Sequence, residues 1–443
     1  MKKGIARLFL FVLLSCLWGG CGNDDEKIPE ENEKPVEVPT STTKALFAYF
    51  VADNNLDDDI RKNVTTMCQG LLQMNEPVTL LVYWDGKRSA SNRFWNEPCL
   101  LKYVTDGKGH LNGRKVHYSA EELAKVHDRS GNAIYYASDT LTWELAEVLP
   151  CRYTESTEMS SMTGILNDMF AEVPLATQLG LVLGSHGSGW LKYLDGRNAR
   201  SFGQDGSQDH TMTTPDMAKA IAATGKHFDF VLFDACMMGC AEVCYDFRQV
   251  TDYLIASVLD IPSPGFPYNQ LTGDLCNYTK KGYAQACATY IAYYEGLNQS
   301  SSGWWGTISL IDCSEMEQLA ASIRQKVAGH DHLQSTYSPT HLQQYGGNRS
   351  SFRYLSFDVR QFMNELVGDE DADWVEQLNR TIVYKGCVSN VSPHSVYAIN
   401  PALYSGLGMY IPVDSKNGWN HYFKTLDWYS AAGWNQTYAE WLP

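Results

Sequence analysis

Cys236, Cys240 and Cys244 stand four apart in "LFDACMMGCAEVC", directly behind an apolar run that ends in Asp234. A thiolate attacks carbonyls, so a cysteine at a strand end with a base or acid beside it reads as a nucleophile. A competing reading is a buried thiol packed as a small hydrophobe, the usual fate of a free cysteine. A metal site fits worse, because three thiols spread over two helical turns cannot close around one Zn²⁺ and no CxxC or HxxxH partner is present. Cys236 is expected to open a helix through "MMGCAEVCYDF", whose N-terminus would favour the thiolate. Cys240 and Cys244, one and two turns further along the same row, would point into packing. Asp234 is placed to cap that helix.

The base is found upstream. Of 11 histidines, only His186 stands between an apolar run and a glycine-rich turn, "GSHGSGW", 50 residues before Cys236. Together they fit a Cys-His dyad. Gly187 lets the backbone approach a substrate, and its N–H and that of Cys236 can serve a developing oxyanion, each such donor being worth on the order of 10² to 10³ in rate.

These side chains need elements that bring them together. "ALFAYFVADNN" (45–55), "VTLLVYWDG" (78–86), "LGLVLGSHG" (179–187), "FDFVLFDAC" (228–236) and "DYLIASV" (252–258) are short continuous apolar runs ending in polar or turn residues. That is the pattern of strands buried on both faces. Between them, "SSMTGILNDMFAEV" (160–173) and "TTPDMAKAIAATG" (213–225) read as helices, the second with a threonine cap, a proline in its first turn and a stop at Gly225. The alternation predicts an α/β fold, a mostly parallel central sheet with helices on both faces. Ligands bind such sheets beyond the carboxyl ends of the strands, where Asp53, Asp85, His186, Asp234 and Cys236 fall. If the third and fourth runs are neighbours, about 4.8 Å apart, His186 and Cys236 emerge side by side.

Residues 44–300 would form the main domain, and 301–443 would complete it or be appended to it. In that C-terminal part "WWGTISLIDC" (304–313) reads as a strand before a helix, "DVRQFMNELV" (358–367) as a helix and "GLGMYIP" (406–412) as a strand.

"ALFAYFVADNNLDDD", "LVLGSHGSGW" and "FDFVLFDACMMGCAEV", in this order, resemble the clostripain family of cysteine peptidases, relatives of caspases, gingipains and legumains. The His-to-Cys spacing approximates that of caspases. The resemblance covers residues 44 to 270 well, and implies a caspase-like fold with a C-terminal extension and a dyad of His186 and Cys236. It also implies that Asp234 lies at the floor of the pocket for the substrate residue before the cut, favouring Arg or Lys. The next segment, "ASVLDIPSPGFPY", departs from the pattern: Asp260 is its only acid, and Pro264 stands where relatives can carry a second pocket aspartate. Relatives are often zymogens that cut themselves in a loop after the catalytic histidine. Here "YLDGRNARSFGQDGSQDH" (193–210) offers Arg197 and Arg200, with Arg200 the expected site. The chemistry requires no cofactor; Ca²⁺, used by some relatives, has Asp205 and Asp209 as candidate ligands. One rival reading is a catalytically inactive caspase-like surface lipoprotein acting as a binding module. Another is a cysteine hydrolase or transpeptidase acting on a nonstandard amide.

The N-terminus reads as an address. Lys2, Lys3 and Arg7 precede an apolar stretch from Leu8 to Trp18, too short to span a bilayer and shaped like a secretion signal. Gly19 and Gly20 before Cys21 resemble a bacterial lipoprotein signal, with residues 1–20 removed and Cys21 acylated. Residues 21–43, charged and dotted with proline, would be a flexible tether. The expected place is the bacterial cell envelope, lipid-anchored in the outer membrane on its periplasmic side or at the cell surface, with protein or peptide substrates. A formal charge of −16 argues against nucleic acid as a partner and favours basic substrates. The other cysteines follow no small-scaffold spacing, so most are expected to be buried free thiols.

Overall fold

In β1 (Lys44–Ala52) every residue after Lys44 is buried. Ala45, Phe47, Tyr49 and Val51 join one core cluster, and Leu46, Ala48, Phe50 and Ala52 join a second on the opposite face. A strand with two buried faces cannot alternate apolar with polar residues, which is why it reads as a continuous apolar run.

The computed structural model describes residues 36–39, 42–87, 95–119, 125–127, 133–192, 201–206, 210–299, 303–328, 330, 339–346, 355–368, 371–389, 391, 395–412 and 418–437. Along this chain β1 is followed by α1 (Asp57–Leu71), β2 (Val78–Gly86), β3 (Cys99–Thr105), α2 (Met159–Glu172) and β4 (Gln178–Gly184). Next come α3 (Thr214–Ala222), β5 (Phe228–Asp234), α4 (Ala241–Phe247), β6 (Thr251–Ala256), α5 (Tyr268–Leu275) and α6 (Lys280–Asn298). The last third adds β7 (Thr307–Asp312), α7 (Met316–Val327), α8 (Val359–Val367), α9 (Ala372–Thr381) and β8 (Ile382–Cys387).

The eight strands lie in the order β8-β7-β6-β5-β4-β1-β2-β3 within one sheet, with three short strands beside β3. From β6 to β2 the neighbours are parallel. Antiparallel strands extend both sides, β3 beyond β2, and β7 and β8 beyond β6. Apolar residues of α2, α3, α4 and α7, among them Ile165, Met217, Val243 and Leu319, cover one face. Ile60 and Val64 of α1, Leu271 of α5 and Tyr283 and Tyr290 of α6 cover the other.

β1 has β2 on one side and β4 on the other, so the strand order reverses between β1 and β4. At such a point the connections diverge to opposite faces and leave a crevice beyond the carboxyl ends. One expected strand is much shorter than its apolar run. In "GLGMYIP" only Gly408 and Met409 form a strand, paired with Phe357 and Asp358, while the buried Tyr410 donates its N–H to the Glu242 carboxyl in place of a strand partner.

Candidate active site

Asp234, the last residue of β5, is the register partner of Gly184, the last of β4. His186 and Cys236 each lie two residues beyond these ends, and both line one cavity of about 690 Å³. Equal overhang from paired parallel strands brings the imidazole and the thiol to the same rim. Asp53 and Asp85, at the ends of β1 and β2, do not line this cavity.

His186 Nε2 lies 2.8 Å from Asn55 Oδ1, just beyond β1. A carboxamide oxygen only accepts, so this contact puts the proton of the neutral ring on Nε2 and its lone pair on Nδ1. Asn54 secures the turn that carries Asn55: its Nδ2 donates to the carbonyls of Val51 and Gln204, and its Oδ1 accepts from the Leu56 N–H. The His186 turn is held from the same side, where the Gly203 N–H donates to the His186 carbonyl and the Ser188 N–H to that of Ser201. Gly187 and Phe202 form an antiparallel bridge whose bonds are made by these neighbours, so the Gly187 N–H points away from residue 202. A Cβ at Gly187 would sit 2.7 Å from the Cys236 carbonyl oxygen. Only glycine lets the two strand extensions approach this closely.

Cys236 does not open a helix. Met237 takes a φ of 62°, its N–H donates to the Leu259 carbonyl, and the Gly239 N–H donates to that of Ser257. Pairing with the chain beyond β6 replaces the helical bonds, and α4 begins only at Ala241, with Cys240 at its N-cap. The expected dipole at the thiol is therefore absent. Cys240 and Cys244 do not continue a helical row from Cys236; both are buried in the core.

Asp234 is likewise no helix cap. Its Oδ2 accepts from Asn63 Nδ2 at 2.8 Å and from the Tyr268 hydroxyl at 2.9 Å, which fixes the carboxyl at the base of the cavity. Burial pushes it up to about 7, against the Tyr268 hydrogen bond and helped by the charge of Asp59. Asp260 also lines the cavity, but its groups face an aromatic wall. Its Oδ2 accepts from the Tyr397 hydroxyl at 2.9 Å and its carbonyl from Trp305 Nε1 at 3.0 Å. The two rings stack with centroids 3.9 Å apart.

Sequence reading passed over Asn55, Asp59, Asn63, Tyr268, Trp305 and Tyr397. Asn55 and Asp59 lie in the motif after β1, and Asn63 is one turn beyond Asp59 on α1, so local signals existed for those three. Tyr268, Trp305 and Tyr397 reach the site only through the tertiary fold. Cys21, Arg200 and Asp209 lie outside the described residues. Asp205 is buried, and its Oδ2 accepts from both the N–H and the hydroxyl of Ser156 at 3.0 Å. No group of three metal-ligating side chains occurs among the described residues.

The family model described as the clostripain family of C11 peptidases matches residues 48–441. The chain belongs to the clostripain family. It is thereby a cysteine peptidase of that family, and its α/β architecture is the caspase-like one. One solved structure of the clostripain fold is an inactive zymogen C11 protease from Parabacteroides distasonis, 24% identical, covering 89% of this chain and 99% of that one at a TM-score of 0.67. Another is a secreted C11 cysteine protease from Bacteroides thetaiotaomicron bound to an irreversible peptide inhibitor, 24% identical, covering 89% of this chain and all of that one (100%) at a TM-score of 0.66. No curated protein sequence matches.

Proposed function

We propose that this clostripain-family chain is an exported, lipid-anchored endopeptidase that cuts after Arg or Lys with a His186–Cys236 dyad. The observation that carries the reading is the shared cavity at the ends of β4 and β5, with the imidazole and thiol at its rim and the Asp234 carboxyl at its base. The Cys236 thiolate attacks the scissile carbonyl carbon, and the N–H groups of Gly187 and Cys236 receive the oxyanion. The C–N bond breaks as the His186 imidazolium protonates the leaving amine, leaving a thioester on Cys236. His186 then takes a proton from water, whose oxygen attacks the thioester and restores the thiol. Asp234 gives the pocket its negative charge.

Self-activation by a cut at Arg200 belongs to this reading, supported by the similarity to a protease crystallised as a zymogen. Export and anchoring at Cys21 rest on the N-terminal sequence and on the likeness to a secreted protease.

The test compares the purified protein with Cys236→Ala for chain integrity on a gel and for turnover of fluorogenic Arg, Lys and neutral peptides. Cutting near Arg200 and Arg or Lys turnover, both lost in the variant, is the expected result. Preference for a neutral residue would retain the dyad and remove the pocket role of Asp234. Equal behaviour of the two proteins on every substrate would leave the inactive binding module as the better account.

A further inference from the structure

α1 opens with three consecutive carboxylates, Asp57, Asp58 and Asp59. Asp57 and Asp58 both pair with the buried Arg61, and Asp57 also accepts from the Lys87 N–H. Asp59 instead lines the cavity, where Ser263 Oγ donates to its Oδ2 at 3.1 Å. Residues 59 and 63 share a helix face one turn apart, and Asn63 is the side chain that holds Asp234. Three carboxylates thus line one concavity, Asp234 from the end of β5, Asp59 from the start of α1 and Asp260 from beyond β6, the last engaged by the Tyr397 hydroxyl.

We propose that Asp59 is a second specificity-determining carboxylate, acting with Asp234 to hold the basic side chain of the residue before the cut. The proposal rests on the reading of this cavity as a pocket for Arg or Lys. Asp234 alone is a weak cation site. Its Oδ2 already serves two donors, and with its carboxyl held up at about 7 it carries only part of a charge at neutral pH. A cation placed between the two carboxylates relieves their mutual repulsion and favours the ionised form of Asp234. A guanidinium presents donors on separate edges, and an ammonium presents three, so either can address both acids at once.

The groups around Asp234 come from several elements. Asp59 and Asn63 approach from α1, and Tyr268 from α5. The buried Tyr290 of α6 feels the charges of Asp234 and Cys236. His186, Cys236 and Asp260 line the rest of the cavity. Of the carboxylates among these, Asp59 is the one whose charge raises Asp234. Removing that charge therefore makes Asp234 easier to ionise while weakening the hold on a cation. A purely structural role for Asp59 would not produce this opposed pair of effects.

The experiment measures kcat/KM per titrated active site for the full-length protein, Asp59→Asn and Asp59→Glu. The peptides are identical except for Arg, Lys or norleucine before the cut, and the range is about pH 5 to 9. In the wild type the ratio of basic to norleucine turnover should rise with pH around a midpoint near 7, the value at which burial holds Asp234. In D59N that ratio should fall ~10- to 100-fold, as expected for loss of a charged hydrogen bond. Its midpoint should also move to lower pH, and D59E should recover both. A D59N ratio and midpoint equal to those of a basic-selective wild type would overturn the role of Asp59 alone. A wild type with no basic preference would overturn the pocket reading, and the Asp59 proposal with it.

Discussion

A carboxamide holds the imidazole in this site, and the choice has consequences. Asn55 fixes the tautomer of His186 through the 2.8 Å contact at Nε2, but it brings no charge to stabilise an imidazolium. Orientation of the ring is therefore the main contribution of Asn55. Asn55→Ala should lower kcat by ~10- to 100-fold, part of the 10² to 10⁴ that a positioned acid or base supplies. KM should change little, because Asn55 does not line the cavity. Steady-state kinetics on an Arg peptide separate the two constants, and a rise in KM with kcat intact would contradict the orienting role.

At the scale of elements, the strands that carry the site were legible because burial on both faces leaves an unbroken apolar run. The positions of His186 and Cys236 followed, since equal overhangs on neighbouring parallel strands meet. The segment after Cys236 misled because "MMGCAEVCYDF" does run into a helix, but only from Ala241, and before it Met237 and Gly239 bond to the chain beyond β6. Strand pairing across the fold overrode local propensity there. The partners of Asp234 were hidden for a related reason: Asn63 and Tyr268 come from α1 and α5, and no sequence spacing relates them. β3 beside β2 and β8 beyond β7 are antiparallel additions at the two sides of the parallel strands, where the alternation of strand and helix gives no guide.

The helix that does form carries its own titration. Glu242, in the first turn of α4, is buried and accepts from the Tyr410 N–H through Oε1 at 2.8 Å. Burial raises it from 4.5 to about 7, against hydrogen bonds that act to lower it. A carboxyl raised on folding contributes stability that is complete below its unfolded value and is lost as pH rises through the folded one. Relative to Glu242→Gln, which keeps an acceptor for Tyr410, the wild type should lose about 3 kcal/mol between pH 4 and pH 8. Chemical denaturation of both proteins at the two pH values reads this directly, and a constant difference would show that Glu242 does not titrate in the fold.

For the whole molecule, residues 193–210, within the connection from β4 to β5, separate the halves of the site in sequence. His186, Asn55 and Asp59 precede them, whereas Cys236 and Asp234 follow them. A cut after Arg200 would place thiol and imidazole on different chains. The pieces are nonetheless joined through the middle of the sheet, where Phe230–Asp234 pair in register with Gly180–Gly184. Both core clusters draw apolar side chains from before and after the cut, so parting the pieces would expose two buried faces at once. Neither piece has a complete sheet to close over those faces, and His186 and Cys236 line one cavity only while they stay together. The nicked protein should therefore elute as one species in gel filtration at the size of the intact chain. It should keep its turnover per molecule on dilution, and resolve into two chains only in denaturant. Separation under native conditions, or activity that falls with dilution, would show that the covalent link, rather than strand pairing and the two-sided core, holds imidazole and thiol at one rim.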